Sequence, residues 1–287
     1  MATKILPKFE GKPIIEIPKE YIKADFLTRD FGKRALEEYQ GRVRTDYQGN
    51  RALSILIYQD GVVKRSNPFA VVLMNSVLEQ EQIRTATAAD FGKILRTDAL
   101  PLKGQYEDIA LVLRNMKDPN SYLAGNLQKQ LKARGRIQYP AMVNLTDLEL
   151  VNDQDNPHGL SFKLKEDAEV IHAKVLAKEN NSKRFSETDE NGLPIFGNIG
   201  DGSRTLYTRN SGLSRLSLDW DLNLYSNWDD FDFSSLGGRV VVVRDAVASD
   251  DFKADLITKL AEQYTVRYKA LEAERADIQR RIEGLGQ

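Results

Sequence analysis

The spacing of apolar residues changes along the chain, and each kind of spacing predicts an element. Helical spacing, or a good pair of helix-start residues, predicts helices over 31–39, 67–82, 88–95 and 121–133. Short apolar runs bounded by turn residues predict strands over 14–17, 52–58, 62–63, 109–113, 141–145, 160–164 and 170–175. A charged segment over 178–191 predicts an exposed loop, and 192–202 is too rich in glycine for a helix. The pattern is that of mixed α and β structure.

Two further strands with different burial are predicted later in the chain. Leu216, Leu218, Leu222 and Leu224 keep an even spacing, which gives a strand one buried face. The opposite face, which we expect to be exposed, carries Ser217, Asp219, Asp221, Asn223 and Tyr225. Residues 240–243 are all valine, which is typical of a strand buried on both faces.

Residues 249–287 predict a long amphipathic helix. Ser249-Asp250-Asp251 is a good helix start, because the carboxylates complement the helix dipole. Apolar residues follow at spacings of three, four or seven, namely Leu256, Leu260, Tyr264, Tyr268, Leu271, Ile278 and Ile282. Three charged residues interrupt this stripe. The interruption favours packing onto a domain or a short oligomer contact over an isolated coiled coil.

Together these elements predict an α+β protein with three parts. Residues 1–135 are expected to form an N-terminal mixed α/β domain. Residues 136–248, with short strands and turns, form a second module, and residues 249–287 form the C-terminal amphipathic helix.

The composition excludes several kinds of chemistry but does not indicate a function. The 287 residues include 41 basic and 42 acidic side chains, a net charge of −1 that argues against a nucleic-acid partner. There is no cysteine, so disulfides, thiolate metal sites and a cysteine nucleophile are excluded. His158 and His172 are the only histidines, and both lie in settings more typical of structure than of catalysis. We expect no metal, no cofactor and no enzymatic activity.

The sequence shows no targeting or membrane segment. The first 20 residues lack the uninterrupted apolar stretch of a signal peptide. No apolar run reaches the about 18 residues that a membrane-spanning helix needs. The compartment stays undetermined, with the cytoplasm as the default and signal-free export or a virus particle left open.

The segment 217–235, SLDWDLNLYSNWDDFDFSS, carries the most information. Sixteen of its nineteen residues are Ser, Asp, Asn, Tyr, Trp or Phe, and it holds both tryptophans of the chain. Aromatic rings supply contact area with few rotatable bonds, and small polar residues supply adaptable hydrogen bonds. This composition indicates a binding surface. The alternative is a solvated hairpin whose aromatic side chains fold into the core.

The surroundings of this segment strengthen that interpretation. It follows Arg204-Thr205-Leu206-Tyr207-Thr208 and SGLSRLSL and precedes GGRVVVVRD. The whole stretch, residues 190–245, resembles the variable region of C-type-lectin-fold proteins, in particular the variable protein of diversity-generating retroelements. In that family an Asn-, Ser-, Asp- and Tyr-rich segment precedes a final strand of the form G-[FR]-V-V, which Gly238-Arg239-Val240-Val241 matches. This chain differs in continuing for some forty residues past that strand and in containing tryptophans, which adenine changes in asparagine codons do not produce.

The resemblance implies a C-type-lectin-like fold for residues 136–248 and a binding surface of variable sequence. We therefore expect a non-enzymatic protein that displays these residues to a protein or a glycan. The expected ligand-binding residues are Ser217, Asp219, Trp220, Asp221, Asn223, Tyr225, Asn227, Trp228, Asp229, Asp230, Phe231, Asp232 and Phe233.

Three alternatives stay open. The first is a structural or assembly protein, viral proteins included, that forms a homo-oligomer through its C-terminal helix. The second is a carbohydrate-active enzyme that uses a pair of aspartates. The third is a loose calcium site formed by aspartates of 219–232. An EF-hand is excluded, because Leu224 replaces the loop glycine and Asp230 replaces the final glutamate.

Overall fold

The computed structural model describes residues 8–9, 12–13, 22–197, 202–244 and 250–284. The chain divides into two compact units. One is Ile22–Asp245, and the other consists of Met1–Tyr21 and Ala246–Gln287. The fold is mixed α/β, with a curled sheet and a C-terminal helix.

The described residues contain five α-helices, and four of them belong to the unit 22–245. The helices are α1 (Arg29–Thr45), α2 (Pro68–Leu78), α3 (Ala88–Thr97), α4 (Ser121–Ala133) and α5 (Asp250–Gly284). Single 3-10 turns lie at Glu79–Glu81, Leu145–Asp147, Lys174–Leu176 and Lys178–Asn180.

The strands are short, and most have two to six residues. The first ten are β1 (Lys8–Phe9), β2 (Lys12–Pro13), β3 (Lys23–Phe26), β4 (Ile57–Gln59), β5 (Val62–Lys64), β6 (Ile83–Thr85), β7 (Tyr106–Leu113), β8 (Ala141–Asn144), β9 (Leu148–Asn152) and β10 (Leu160–Leu164). They are followed by β11 (Ile171–His172), β12 (Arg184–Phe185), β13 (Glu187–Thr188), β14 (Pro194–Ile195), β15 (Arg204–Thr208), β16 (Leu213–Leu218), β17 (Leu224–Ser226), β18 (Gly238–Arg239) and β19 (Val241–Arg244).

The largest sheet joins distant parts of the chain. Its order is β11-β8-β7-β16-β17-β15-β12, and β18 pairs in parallel with the start of β7. β7 pairs antiparallel with both β8 and β16 and is buried along its whole length. The sheet therefore crosses the boundary that the sequence predicts between residues 135 and 136. Strands from both predicted domains lie side by side within one unit.

The two faces of β7 contribute to two buried apolar clusters. Leu111 and Leu113 lie in the cluster that contains α2, whereas Ala110 and Val112 lie in the cluster that contains α3. Burial on both faces explains why the strand is apolar over most of its length.

β19 is the central strand of a second sheet, with the order β3-β19-β6. It pairs antiparallel with both neighbours, and Val240–Val243 are all buried. The prediction of a strand buried on both faces over 240–243 is confirmed.

Several local predictions are confirmed, and others need correction. Asn67 caps α2 by accepting a hydrogen bond from the Ala70 amide at 2.8 Å, as the Asn67-Pro68 pair indicates. The strand expected over 52–58 forms only at its end, in β4, because the buried residue Ala52 lies in a turn. There the Asn50 side chain accepts from the Ala52 amide, and the Asn67 side chain donates to the Ala52 carbonyl. The strand expected over 14–17 lies outside the described residues.

The helix α5 extends over 35 residues, as the sequence predicts for this part of the chain. The Tyr264 and Tyr268 rings stack along it, with their centroids 6.1 Å apart. Within the described ranges, no helix combines the length and the apolar character needed to cross a membrane.

Candidate binding pocket

Three neighbouring strands and the loops between them form an open cavity of about 580 Å³. β7 begins at Tyr106, β16 contributes Arg215, and β17 contributes Tyr225. The full lining is Tyr106, Arg215, Asp219, Trp220, Asp221, Tyr225, Trp228, Asp229, Asp230, Phe233 and Ser235. We call this cavity the aromatic pocket.

A buried ion pair forms the base of the aromatic pocket. Arg215 is 1% exposed, and its guanidinium lies 3.2 Å from the Asp108 carboxylate. Asp108 also accepts hydrogen bonds from the Ser66 hydroxyl at 2.6 Å and from the Tyr106 hydroxyl at 2.9 Å. Such hydrogen bonds reduce the cost of burying the pair away from water.

Arg215 stays cationic in this environment. Burial lowers the pKa of Arg215, but the charge of Asp108 and the neighbouring Tyr106 outweigh burial, so the pKa lies above its ordinary value. The pKa of Tyr106 is raised well above its ordinary value, by burial first and then by Asp108. At neutral pH Arg215 is therefore a guanidinium and Tyr106 keeps its phenolic proton.

Three aromatic rings surround the Arg215 guanidinium. Its central carbon lies 5.0 Å from the ring centroid of Trp228, 5.6 Å from Tyr106 and 5.7 Å from Phe233. These distances are typical of cation–π contacts. Arg215 therefore holds the inner rings in place through charge as well as through packing.

The ring wall continues outward along β17. The Tyr225 centroid lies 5.0 Å from Trp228, and Tyr207 stacks on Tyr225 at 4.5 Å. At the mouth, Trp220 is 56% exposed and Phe233 is 47% exposed. Large rings exposed next to a cavity are typical of a binding site rather than of a solvated hairpin.

The turn at 219–223 places Trp220 and Asp221 at the mouth. Asp219 holds this turn, because its carboxylate accepts hydrogen bonds from the Asp221 amide at 2.9 Å and the Asn223 amide at 2.8 Å. Asn223 in turn accepts from the Thr205 amide at 2.7 Å, which ties the turn to β15. Asp219 and Asn223 therefore position Trp220 and Asp221 through the backbone.

Acidic side chains line the rest of the rim. Asp221, Asp229 and Asp230 are exposed, and Asp229 forms an ion pair with Arg209 at 3.1 Å. A hydrogen bond with Asp232, followed by partial burial, raises the pKa of Asp230. The rim is negative.

Eight of the thirteen residues predicted for the site line the aromatic pocket. They are Asp219, Trp220, Asp221, Tyr225, Trp228, Asp229, Asp230 and Phe233. Asn223, Asn227 and Asp232 lie outside the lining, and Asp232 is 3.7 Å from the His158 ring nitrogen.

Two of the predicted display residues are buried, which corrects their expected exposure. Ser217 has no exposed surface, because it lies on β16 opposite Asp108 in the middle of the sheet. Phe231 also has none, and its ring packs edge-on against Phe69 and Phe162 in the core. The alternative of aromatics folding into the core therefore holds for Phe231 alone among the aromatic residues of the segment.

Sequence reasoning missed Tyr106, Asp108 and Arg215. A signal was present, since Asp108 directly precedes the apolar run 109–113 and Arg215 lies between Leu213 and Leu216. A charged residue in a buried strand needs a partner, but local pattern does not say which one.

The position of Gly238 explains why the GGRV motif has a glycine there. A Cβ there would lie 2.7 Å from both the Tyr106 ring and the Ser66 amide. Only glycine lets β18 approach the start of β7 and close the pocket base.

Among the described residues, no group of three or more acidic or histidine side chains is arranged to hold a metal ion. No family model, curated protein or solved structure matches the chain.

Proposed function

We propose that this chain is a non-enzymatic ligand-binding protein, and that the aromatic pocket recognises part of a protein or a glycan. The observation that supports the proposal is the convergence of nine polar and aromatic residues of 217–235 on one cavity. Its rings are large and exposed at the mouth, but anchored at the base.

The aromatic pocket is preorganised for binding. Ring contacts contribute binding energy only if ordering the rings costs little on association. Here Arg215 holds Trp228, and Asp219 holds the turn that carries Trp220. Most of the ordering is therefore complete before a ligand arrives.

We further propose a family for this chain. The resemblance to the variable protein of diversity-generating retroelements implies a C-type-lectin-like arrangement and a surface that varies between copies of the gene. The separation of side chains supports it, because exposed rim residues alternate along the chain with residues that hold the fold.

The structure sharpens the test of that proposal, which is to sequence this locus from many closely related genomes. We expect substitutions to concentrate at Trp220, Asp221, Tyr225, Trp228, Asp229, Asp230 and Phe233. The matched control is the set of neighbouring residues that hold the fold: Ser217, Leu218, Asp219, Leu224 and Phe231. Even variation over both sets would contradict a diversified surface, as would the absence of a nearby reverse transcriptase and of a repeat of the coding segment.

Assembly through α5 is the second candidate. The observation that favours it is a helix of 35 residues on which Val266 is 69% exposed and Ile278 is 49% exposed. Burying such side chains against a second chain would be favourable.

A further inference from the structure

We propose that the aromatic pocket takes a cationic group, an alkylammonium such as a lysine side chain presented by a protein partner. This inference rests on the proposed ligand-binding function and names the chemistry of the ligand.

The charge of the pocket lining favours a cationic ligand. The lining carries four carboxylates against one guanidinium. Arg215 is already compensated by Asp108 at 3.2 Å, and Arg209 compensates Asp229 alone. Asp219 holds its turn and interacts with Arg204, so the negative charge of Asp221 and Asp230 dominates the mouth, which attracts cations and opposes anions.

The aromatic rings of the pocket wall also favour a cationic ligand. Aromatic faces attract cations through their quadrupole, and a pocket that combines several rings with carboxylates is the usual means of binding quaternary or protonated amines. The wall already binds one cation of the chain itself, the Arg215 guanidinium, against Trp228 and Phe233. Trp220 and Phe233, which are both about half exposed, remain for a second cation at the mouth.

The opening of the cavity favours a ligand with a long alkyl chain. The cavity is open to solvent on the side of Trp220 and Phe233, which are both about half exposed. Both are aromatic rings, so part of the opening has an apolar rim. A long alkyl chain can pack against these rings while its ammonium lies beside the carboxylates of the rim.

A neutral sugar is the competing ligand, since it also stacks on aromatic rings and donates hydrogen bonds to carboxylates. Positive charge on the ligand separates the two hypotheses, because a sugar gains nothing from the excess of carboxylates beyond its hydrogen bonds.

The chain contains its own reporter for the experiment. Trp220 and Trp228 are its only tryptophans, and both line the aromatic pocket. Tryptophan emission from the full-length protein can therefore be followed while capped tripeptides Gly-Xaa-Gly are added, where Xaa is trimethyllysine, lysine, norleucine or glutamate. A panel of neutral oligosaccharides is titrated in parallel.

We expect a saturable change in emission with the trimethyllysine and lysine peptides, and none with the norleucine and glutamate peptides. Added salt should weaken the response, because part of the attraction is electrostatic. Trp220→Phe and Trp228→Phe assign the signal to each ring.

The matched pair of variants is Asp221→Asn and Asp155→Asn. Both residues are exposed, but only Asp221 lines the aromatic pocket. The Asp221 backbone amide keeps its bond to Asp219 in either case, so the turn is preserved. We expect Asp221→Asn to weaken lysine-peptide binding about fivefold, as for one lost charge contact, and Asp155→Asn to leave binding unchanged.

Three results would overturn the inference. Equal responses to the lysine and norleucine peptides would show that charge is not recognised. A response to oligosaccharides alone would overturn the cationic ligand and leave ligand binding standing. No response to any probe would also overturn it, and together with an evenly varying locus would remove the proposed function.

Discussion

The side chain that organises the aromatic pocket is Arg215, which is almost fully buried and touches three rings and one carboxylate. Burying a guanidinium is costly unless its charge and donors are compensated. Asp108 supplies the charge, and the Phe233 carbonyl accepts a hydrogen bond at 3.3 Å. The same residue thus joins the strand β16 to the loop that carries Phe233.

We predict strong energetic coupling between Arg215 and Asp108. Arg215→Met should lower the free energy of unfolding by on the order of 3–5 kcal/mol, because it leaves the Asp108 carboxylate buried without its cation. The double variant Arg215→Met with Asp108→Asn should lose less than the sum of the two single variants, with a coupling energy above about 1 kcal/mol.

Urea unfolding of the four proteins measures this cycle. If the losses simply add, the pair is not coupled, and another group must compensate Arg215.

At the scale of elements, helices were predictable and sheet partners were not. α2, α3 and α4 follow from residues close in sequence, such as the cap Asn67 and the apolar spacing of each segment. β16 is different, because the side that the leucines leave polar is also buried. Its register against β7 shifts between Leu216 and Ser217, and the partners lie about a hundred residues apart. No local pattern contains that information.

The residues of the aromatic pocket show the same contrast between what the local sequence predicts and what only the tertiary fold determines. Nine pocket residues belong to one continuous segment, and its composition revealed eight of them. The base residues Tyr106 and Asp108 come from a strand whose place beside β16 only the tertiary fold determines. The predicted division at residue 135 failed to anticipate this sheet for the same reason.

The start of α3 provides a prediction with a definite pH dependence. Thr87 and Asp90 form a capping box, and Arg84 donates to the Asp90 carboxylate, with one contact at 3.2 Å. Burial raises the pKa of Asp90, but Arg84 and Thr87 together outweigh burial and lower it below its ordinary value. Asp90 therefore stabilises the fold above its unfolded pKa of about 3.9, and this contribution is lost as pH falls through the folded pKa.

We expect Asp90→Asn to lower the free energy of unfolding at pH 7 by about 1–2 kcal/mol. The difference from the unmodified protein should shrink as the pH is lowered below about 4. Asp98→Asn, at the exposed C-terminal end of the same helix, is the control and should change little. A difference that stays constant with pH would show that ionisation of Asp90 does not contribute.

At the scale of the whole molecule, the unit 22–245 contains both apolar clusters and the entire aromatic pocket. We therefore expect a chain that lacks 250–287 to keep the tryptophan emission and the lysine-peptide binding of the full protein. Loss of the folded signal would show that the helix is required for the unit.

The same truncation tests assembly by its mass in solution. If α5 joins chains, the full protein should be an oligomer and the truncated protein a monomer, as measured by light scattering. An unchanged mass would eliminate the assembly candidate and leave ligand binding unaffected.

The pairing of β3 with β19 has a consequence for how this unit can be used. Lys23 and Arg244 are direct partners in that ladder, so the polypeptide enters and leaves the unit at neighbouring points. Domains with adjacent ends tolerate circular permutation and insertion into a host protein. Residues 22–245 could thus be carried within a single surface loop of another protein, without stretching the host at the junction.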